Sequence, residues 1–286
     1  MKLKGILAAA GLVVTMACGQ ALATPSTQIW IPSTDVKGFK EVNIGIDNYI
    51  RFSDAANAGP NYYDLGITAG ILPLENFKVE IGVDYLTDNL GGSSNQAKHP
   101  IMFNFKAGIP EDAFGIKGLP AIAAGMYNIG TFDRGATGGN TMQNIAYALV
   151  AKTLPVVGRI SVGGYNGAEK QLGKKINNGI LASWDRAMPE ISDKLWLAVD
   201  YMSGRNYNGA LSFGGSWAFS KNVSLLLGVD VYNPGQSTLT GGKPTFTHSS
   251  ISIFPRLYLL QFGGGRHPPP PFRRESTYKQ TRRSAK

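Results

Sequence analysis

Residues 77–86 read FKVEIGVDYL, and the reading of the whole chain turns on them. Phe77, Val79, Ile81, Val83 and Tyr85 are apolar, while Lys78, Glu80, Gly82 and Asp84 fall between them. Successive side chains of a β-strand point to opposite faces. One face of this strand is therefore greasy throughout, and the other carries a lysine, a glutamate and an aspartate. Such a ribbon needs hydrocarbon on one side and a polar medium on the other.

The same period of two recurs along the chain. Residues 42–51, 62–72, 77–86, 101–109, 121–131, 144–152, 159–165, 179–186, 194–203, 210–219, 223–232 and 247–254 read as strands, twelve in all. Their apolar sets are large: Ile101, Phe103 and Phe105 in one, and Leu195, Leu197, Val199 and Tyr201 in another. The opposite faces are small or polar, as in Asn43, Gly45 and Asp47, or Ser212, Gly214 and Ser216. In 121–131 the period fails, because Ile122, Ala124, Met126 and Asn128 compete with Ala123, Tyr127 and Ile129 for the same face. Connections alternate. Short ones such as 73–76, 154–158 and 220–222 take turns with longer loops rich in Gly, Asn and Ser.

The two ends differ from this body. Lys2 and Lys4 precede the apolar run 5–17, and Ala21-Leu22-Ala23 has the small-x-small form of a signal-peptidase site. Residues 1–23 are thus expected to be a cleaved secretory signal, too short to span a bilayer. Cys18 is the only cysteine, so a processed chain has neither a disulfide scaffold nor a cysteine-ligated metal. The net charge of +9 also belongs to the ends. Arg256, Arg266, Arg273, Arg274, Lys279, Arg282, Arg283 and Lys286 face Glu275 alone, and with Lys2 and Lys4 they leave 24–255 neutral. A nucleic-acid-binding body is not implied.

Strand length, two-sided patterning and alternating loop length together resemble bacterial outer-membrane β-barrel proteins, porin-like, with about twelve strands. The resemblance covers 42–254, lies in layout rather than a diagnostic motif, and assigns no specific family. It implies an all-β antiparallel transmembrane barrel with short periplasmic turns and longer extracellular loops. Closure matters because an unpaired backbone group in lipid costs several kcal/mol. The implied location is the outer membrane of a Gram-negative bacterium, after signal cleavage. The implied partners are membrane lipid and lipopolysaccharide, the barrel-assembly machinery and small solutes. Tyr49, Tyr62, Tyr63, Phe77, Tyr85, Tyr127, Tyr201, Trp217, Phe219 and Tyr232 are expected to form interfacial girdles.

The residues give little sign of chemistry. His99, His248 and His267 have no metal-ligand spacing. Outer-membrane phospholipase is also a twelve-strand barrel, so His248-Ser249-Ser250 was weighed as a hydrolase pair. Adjacent strand residues point apart, and no matching acid appears. No catalytic, cofactor-binding or metal-binding residue is assigned, and no enzyme activity is expected.

The lumen carries the functional expectation. Asp47, Lys78, Glu80, Asp84, Lys106, Lys152, Arg159, Lys194, Asp200 and Asp230 are expected to line it, because a bilayer-facing Lys or Arg costs about 2–4 kcal/mol at mid-depth. Bases gather toward the short-turn end and acids toward the long-loop end. Four of those acids recur in an echo: IGIDNY (44–49), IGVDYL (81–86), LAVDYM (197–202) and LGVDVY (227–232). One hairpin solution used repeatedly explains it, and so does a rim of acidic groups. The expected function is a narrow channel for passive diffusion of small solutes, its charges setting selectivity. The alternative is a non-conducting barrel acting through its loops as receptor, adhesin or anchor.

Residues 24–40 are expected to be a periplasmic lead-in and 41–262 the barrel, in which Phe262 could close a last strand. Residues 263–286, GGGRHPPPPFRRESTYKQTRRSAK, are expected to be a disordered basic, proline-rich tail. The abrupt change in arginine usage points to a replaced native C-terminus. The other reading is an extension that touches peptidoglycan or lipid phosphate.

Overall fold

The computed structural model describes residues 26–51, 61–88, 93–134, 140–172, 177–233 and 246–253. The expected signal, the tail and Phe262 lie outside the described residues. Twelve strands form one antiparallel sheet: β1 (Val42–Arg51), β2 (Tyr62–Gly70), β3 (Lys78–Thr87), β4 (Ile101–Ile109), β5 (Ala121–Gly130), β6 (Ile145–Leu154), β7 (Gly158–Asn166), β8 (Asn178–Ala187), β9 (Leu195–Met202), β10 (Ala210–Ala218), β11 (Val223–Tyr232) and β12 (Phe246–Ile253). Each pairs with its neighbours in sequence, and β1 pairs with β12 from Ile44 against Ile253 to Arg51 against Phe246. The sheet is thus a closed barrel, and no strand presents an unpaired edge.

Alternation sorts the wall. On β3, Ile81, Val83 and Tyr85 are exposed on the outside, while Glu80, Gly82 and Asp84 are buried inside. On β2, Leu65 and Ile67 face out at 50 % and 51 % exposure, and Gly66 and Thr68 face in. The outer surface therefore carries Ile, Leu, Val and Phe on strand after strand. Soluble monomers rarely expose contiguous apolar patches beyond a few hundred Å². Hydrocarbon is the medium that suits this face.

The competing pattern of 121–131 has a mechanical cause. Phe103 lies opposite Ile129, but Phe105 lies opposite Met126, so Tyr127 and Asn128 together face Asn104. This is a β-bulge, and Asn128 takes a left-handed φ of 51° there. The extra residue flips the parity. Ile122 and Ala124 share the outer face below the bulge, and Tyr127 is buried in the lumen.

The aromatic girdle expectation holds only in part. Phe77, Tyr85, Tyr201, Trp217 and Phe219 are exposed on the outside. Tyr49 and Tyr232 instead turn inward to meet Trp30, and Tyr127 packs edge-on to Tyr147 inside the ring. The residues before β1 also differ from expectation. They are not a lead-in outside the barrel: 26–37 fold into its interior as a hairpin.

Candidate functional site

The hairpin begins where β1 meets β2. Gly70 N–H donates to Glu41 O at 2.9 Å and Lys40 N–H donates to Gly70 O at 2.9 Å, with Lys40 at φ 64°. A Cβ on Gly70 would stand 2.0 Å from Gly38 O, so only glycine lets the chain turn in against the wall there. Within the hairpin, Gln28 N–H donates to Ile31 O at 2.8 Å and Ser33 N–H to Ser26 O at 3.0 Å. Ile29 and Trp30 form its tip, which reaches toward the long-loop end.

Near the short turns, the wall holds the hairpin with paired charges. Lys106 and Glu80 are both wholly buried, 3.2 Å apart. Lys106 Nζ also donates to Ser26 O at 2.7 Å and Asp35 O at 2.8 Å. Glu80 accepts from Ser26 N–H, Ser26 Oγ and Lys37 N–H at 3.3, 3.1 and 2.8 Å. Arg159 grips Asp35 with two parallel bonds of 2.6 and 2.8 Å, and its Nε reaches Asp185 at 2.9 Å. Asp185 accepts as well from Gln28 Nε2 at 2.9 Å and Trp196 Nε1 at 3.1 Å. Buried charges are tolerable only when paired and hydrogen-bonded, and here each has several partners.

At the tip the arrangement changes. One oxygen of Asp200 accepts the Ile29 and Trp30 backbone N–H groups at 2.7 and 2.8 Å. The Trp30 indole donates to Asn208 O at 2.7 Å and meets the rings of Tyr49 and Tyr232 edge-on, at 5.5 and 6.3 Å. Ile31 joins Tyr127, Ile145, Tyr147, Leu149, Tyr165, Leu172, Leu181 and Met202 in an apolar cluster. Ile29 joins Trp196, Ala198 and Leu226 in a second. The inner wall is thus apolar over part of β5–β9, a feature the two-sided pattern did not reveal.

Asp47, Glu80, Asp84, Lys106, Arg159, Asp200 and Asp230 all line the lumen as the sequence implied. Lys78 keeps the inward register at the short-turn end of β3. Two expectations fail. Lys152 shares the outer register of Ala148 and Val150, and it pairs with Glu111 at 3.1 Å and Asp112 at 3.2 Å on the turn 110–120. It sits at the end of β6, where water and two carboxylates spare it the cost of lipid. Lys194 is exposed in the turn before β9, outside the strand. On that same rim the Asp112 carboxyl is held below its ordinary pKa, first by the Gly118 N–H and then by Lys152.

The sequence reading missed Asp35, Asp64 and Asp185. Asp185 follows Leu181 and Ser183 at spacing two, and Asp64 precedes Gly66 and Thr68, so alternation alone could have found both. For Asp35 no sequence signal existed.

Neither a protein-family model nor a characterised relative matches the sequence. Solved structures resemble the fold. The COG4313 outer membrane channel from Pseudomonas putida F1 is 9 % identical, with a TM-score of 0.46, over 78 % of this chain and 98 % of that one. A mutant of Rh. blastica porin is 13 % identical, with a TM-score of 0.35, over 82 % of this chain and 66 % of that one. Outer membrane phospholipase A from Escherichia coli is 11 % identical, with a TM-score of 0.40, over 77 % of this chain and 97 % of that one.

Proposed function

We propose that the protein is a Gram-negative outer-membrane channel for small solutes, held shut in this state by its own N-terminal hairpin. The observation that carries the reading is the chemistry of the contact between hairpin and wall. A permanent core would be dry and apolar. This wall instead offers Asn43, Thr68, Asn104, Ser161, Ser183 and Ser212 to the lumen, each with a buried side-chain atom that has no hydrogen-bond partner in the protein. Leaving such an atom unsatisfied costs about 1–3 kcal/mol, so the lumen favours water. The hairpin is anchored largely by charge-assisted bonds that water can replace.

Lipid and lipopolysaccharide would contact the apolar outer face, and the assembly machinery would receive the strands. No residue cluster supports catalysis.

Planar-bilayer recording tests the proposal. The full chain should be silent or flicker, and a variant lacking 26–36 should conduct steadily. A second reading, a non-conducting barrel that works through its loops, draws on the complete burial of Ile29 and Ile31 in apolar clusters. Silence in the shortened variant, with folding intact by heat-modifiable migration, would favour that reading.

A further inference from the structure

The aspartates of the recurring apolar-x-apolar-Asp echo meet on one arc of the upper lumen. Asp200 of β9 and Asp230 of β11 both lie opposite Ser212 of β10. Asp47 of β1 lies opposite Asp64 of β2, and Asp84 of β3 lies opposite Gly66, two residues along. Tyr49 is within Coulombic reach of Asp47, Asp64, Asp230 and Asp84 together. Among the described residues, no Lys or Arg reaches Asp64, Asp84, Asp200 or Asp230.

Asp230 adds an independent observation. It is 0 % exposed, it points inward beside Gly228, and neither carboxylate oxygen has a hydrogen-bond partner. Asp84 gives one oxygen to Asn104 Nδ2 at 2.7 Å and leaves the other unpartnered. A buried carboxylate without a partner is costly, and a cation removes that cost.

The class of cation follows from spacing and surroundings. Among the described residues, no three acidic, histidine or cysteine groups converge closely enough to hold a metal ion. The carboxylates are spread along an arc, and Trp30, Tyr49 and Tyr232 stand beside it with their ring faces turned across one another. Separated carboxylates next to aromatic rings suit an extended organic ammonium, with N–H donors for the oxygens and alkyl carbons for the rings. We infer that this arc is a binding site for an organic cation of the alkylammonium or diamine class. The inference rests on the channel reading for how the cation arrives, and it names the solute class that reading leaves open. An ammonium here also competes with the hairpin, because Asp200 holds the hairpin tip through N–H groups alone.

The test is calorimetric titration of the full chain in detergent with 1,4-diaminobutane. Saturable binding is expected, weakened at least tenfold in Asp230→Asn and in Asp84→Asn and unchanged in Glu190→Gln on the opposite rim. Both lumenal changes remove an uncompensated charge, so the barrel should stay folded by heat-modifiable migration. Asp64→Asn serves as a further variant. Absence of saturable heat, or an affinity unchanged in these variants, overturns the site. Calcium binding with the same dependence on Asp230 overturns the organic-cation assignment. The titration needs no conduction, so a silent barrel that binds the diamine, or a conducting one that does not, separates this inference from the channel proposal.

Discussion

The two halves of the lumen share one wall and solve the same electrostatic problem in opposite ways. Near the short turns, Glu80, Asp35 and Asp185 are matched by Lys106 and Arg159, and all five groups clasp the hairpin or one another. Near the long loops, Asp64, Asp84, Asp200 and Asp230 stand without a described base, and only Asp200 touches the hairpin, through backbone N–H groups. The lower half is a neutralised latch. The upper half is an unsatisfied one, open to a guest. Charge inside a barrel therefore does not by itself mean selectivity, because compensated charge fixes structure and uncompensated charge invites a ligand.

Breaking the latch should have the largest effect. Lys106→Met leaves Glu80 buried beside a methyl group and should cost about 3–5 kcal/mol, read as a lower temperature of unfolding on heat-modifiable gels. Adding Glu80→Gln to it should recover part of that loss. At the other half, Asp200→Ala removes a charged acceptor shared by two N–H groups. About 1.5–3 kcal/mol of hairpin seating should be lost, read as faster proteolysis within 26–40 while the barrel resists. Gly70→Ala strikes the root of the hairpin. Its new methyl group meets Gly38 O and Lys37 O, and the overpacking should cost about 1–3 kcal/mol, with the same proteolytic signature.

The rim sharpens the comparison by its small effect. Asp112 has a folded pKa depressed by the Gly118 N–H and Lys152. Its contribution is therefore present above the ordinary aspartate pKa and lost as pH falls through the lower folded value. Lys152→Ala should raise that titration point, visible by carboxyl NMR, without a measurable change in melting, as expected for an exposed pair.

Strand positions were legible because bilayer thickness and the pleat leave few options. β1, β4 and β11 begin and end where the alternation places them. Facing was legible too wherever one side was large and the other polar. It failed at Tyr127 and Asn128, since a bulge inserts a residue that no period anticipates. It failed at Lys152, whose strand carries Ile145, Tyr147 and Leu149 inside and alanines outside, reversing the size contrast. The hairpin was hidden for another reason. Residues 26–37 hold no strand-length pattern, and their place is fixed by Lys106, Arg159 and Asp200, contacts with wall residues up to 171 positions away.

The interior placement of the hairpin is tested most directly by thiol labelling in liposomes. Cys18 is the only native cysteine, so one introduced at position 29 can be followed against the parent chain, with Glu190→Cys as the exposed standard. Reaction of Ile29→Cys with a membrane-impermeant maleimide should be far slower than that of Glu190→Cys, and Asp200→Ala should speed it. Equal rates in the otherwise unaltered chain would place residues 26–37 outside the ring and contradict the account.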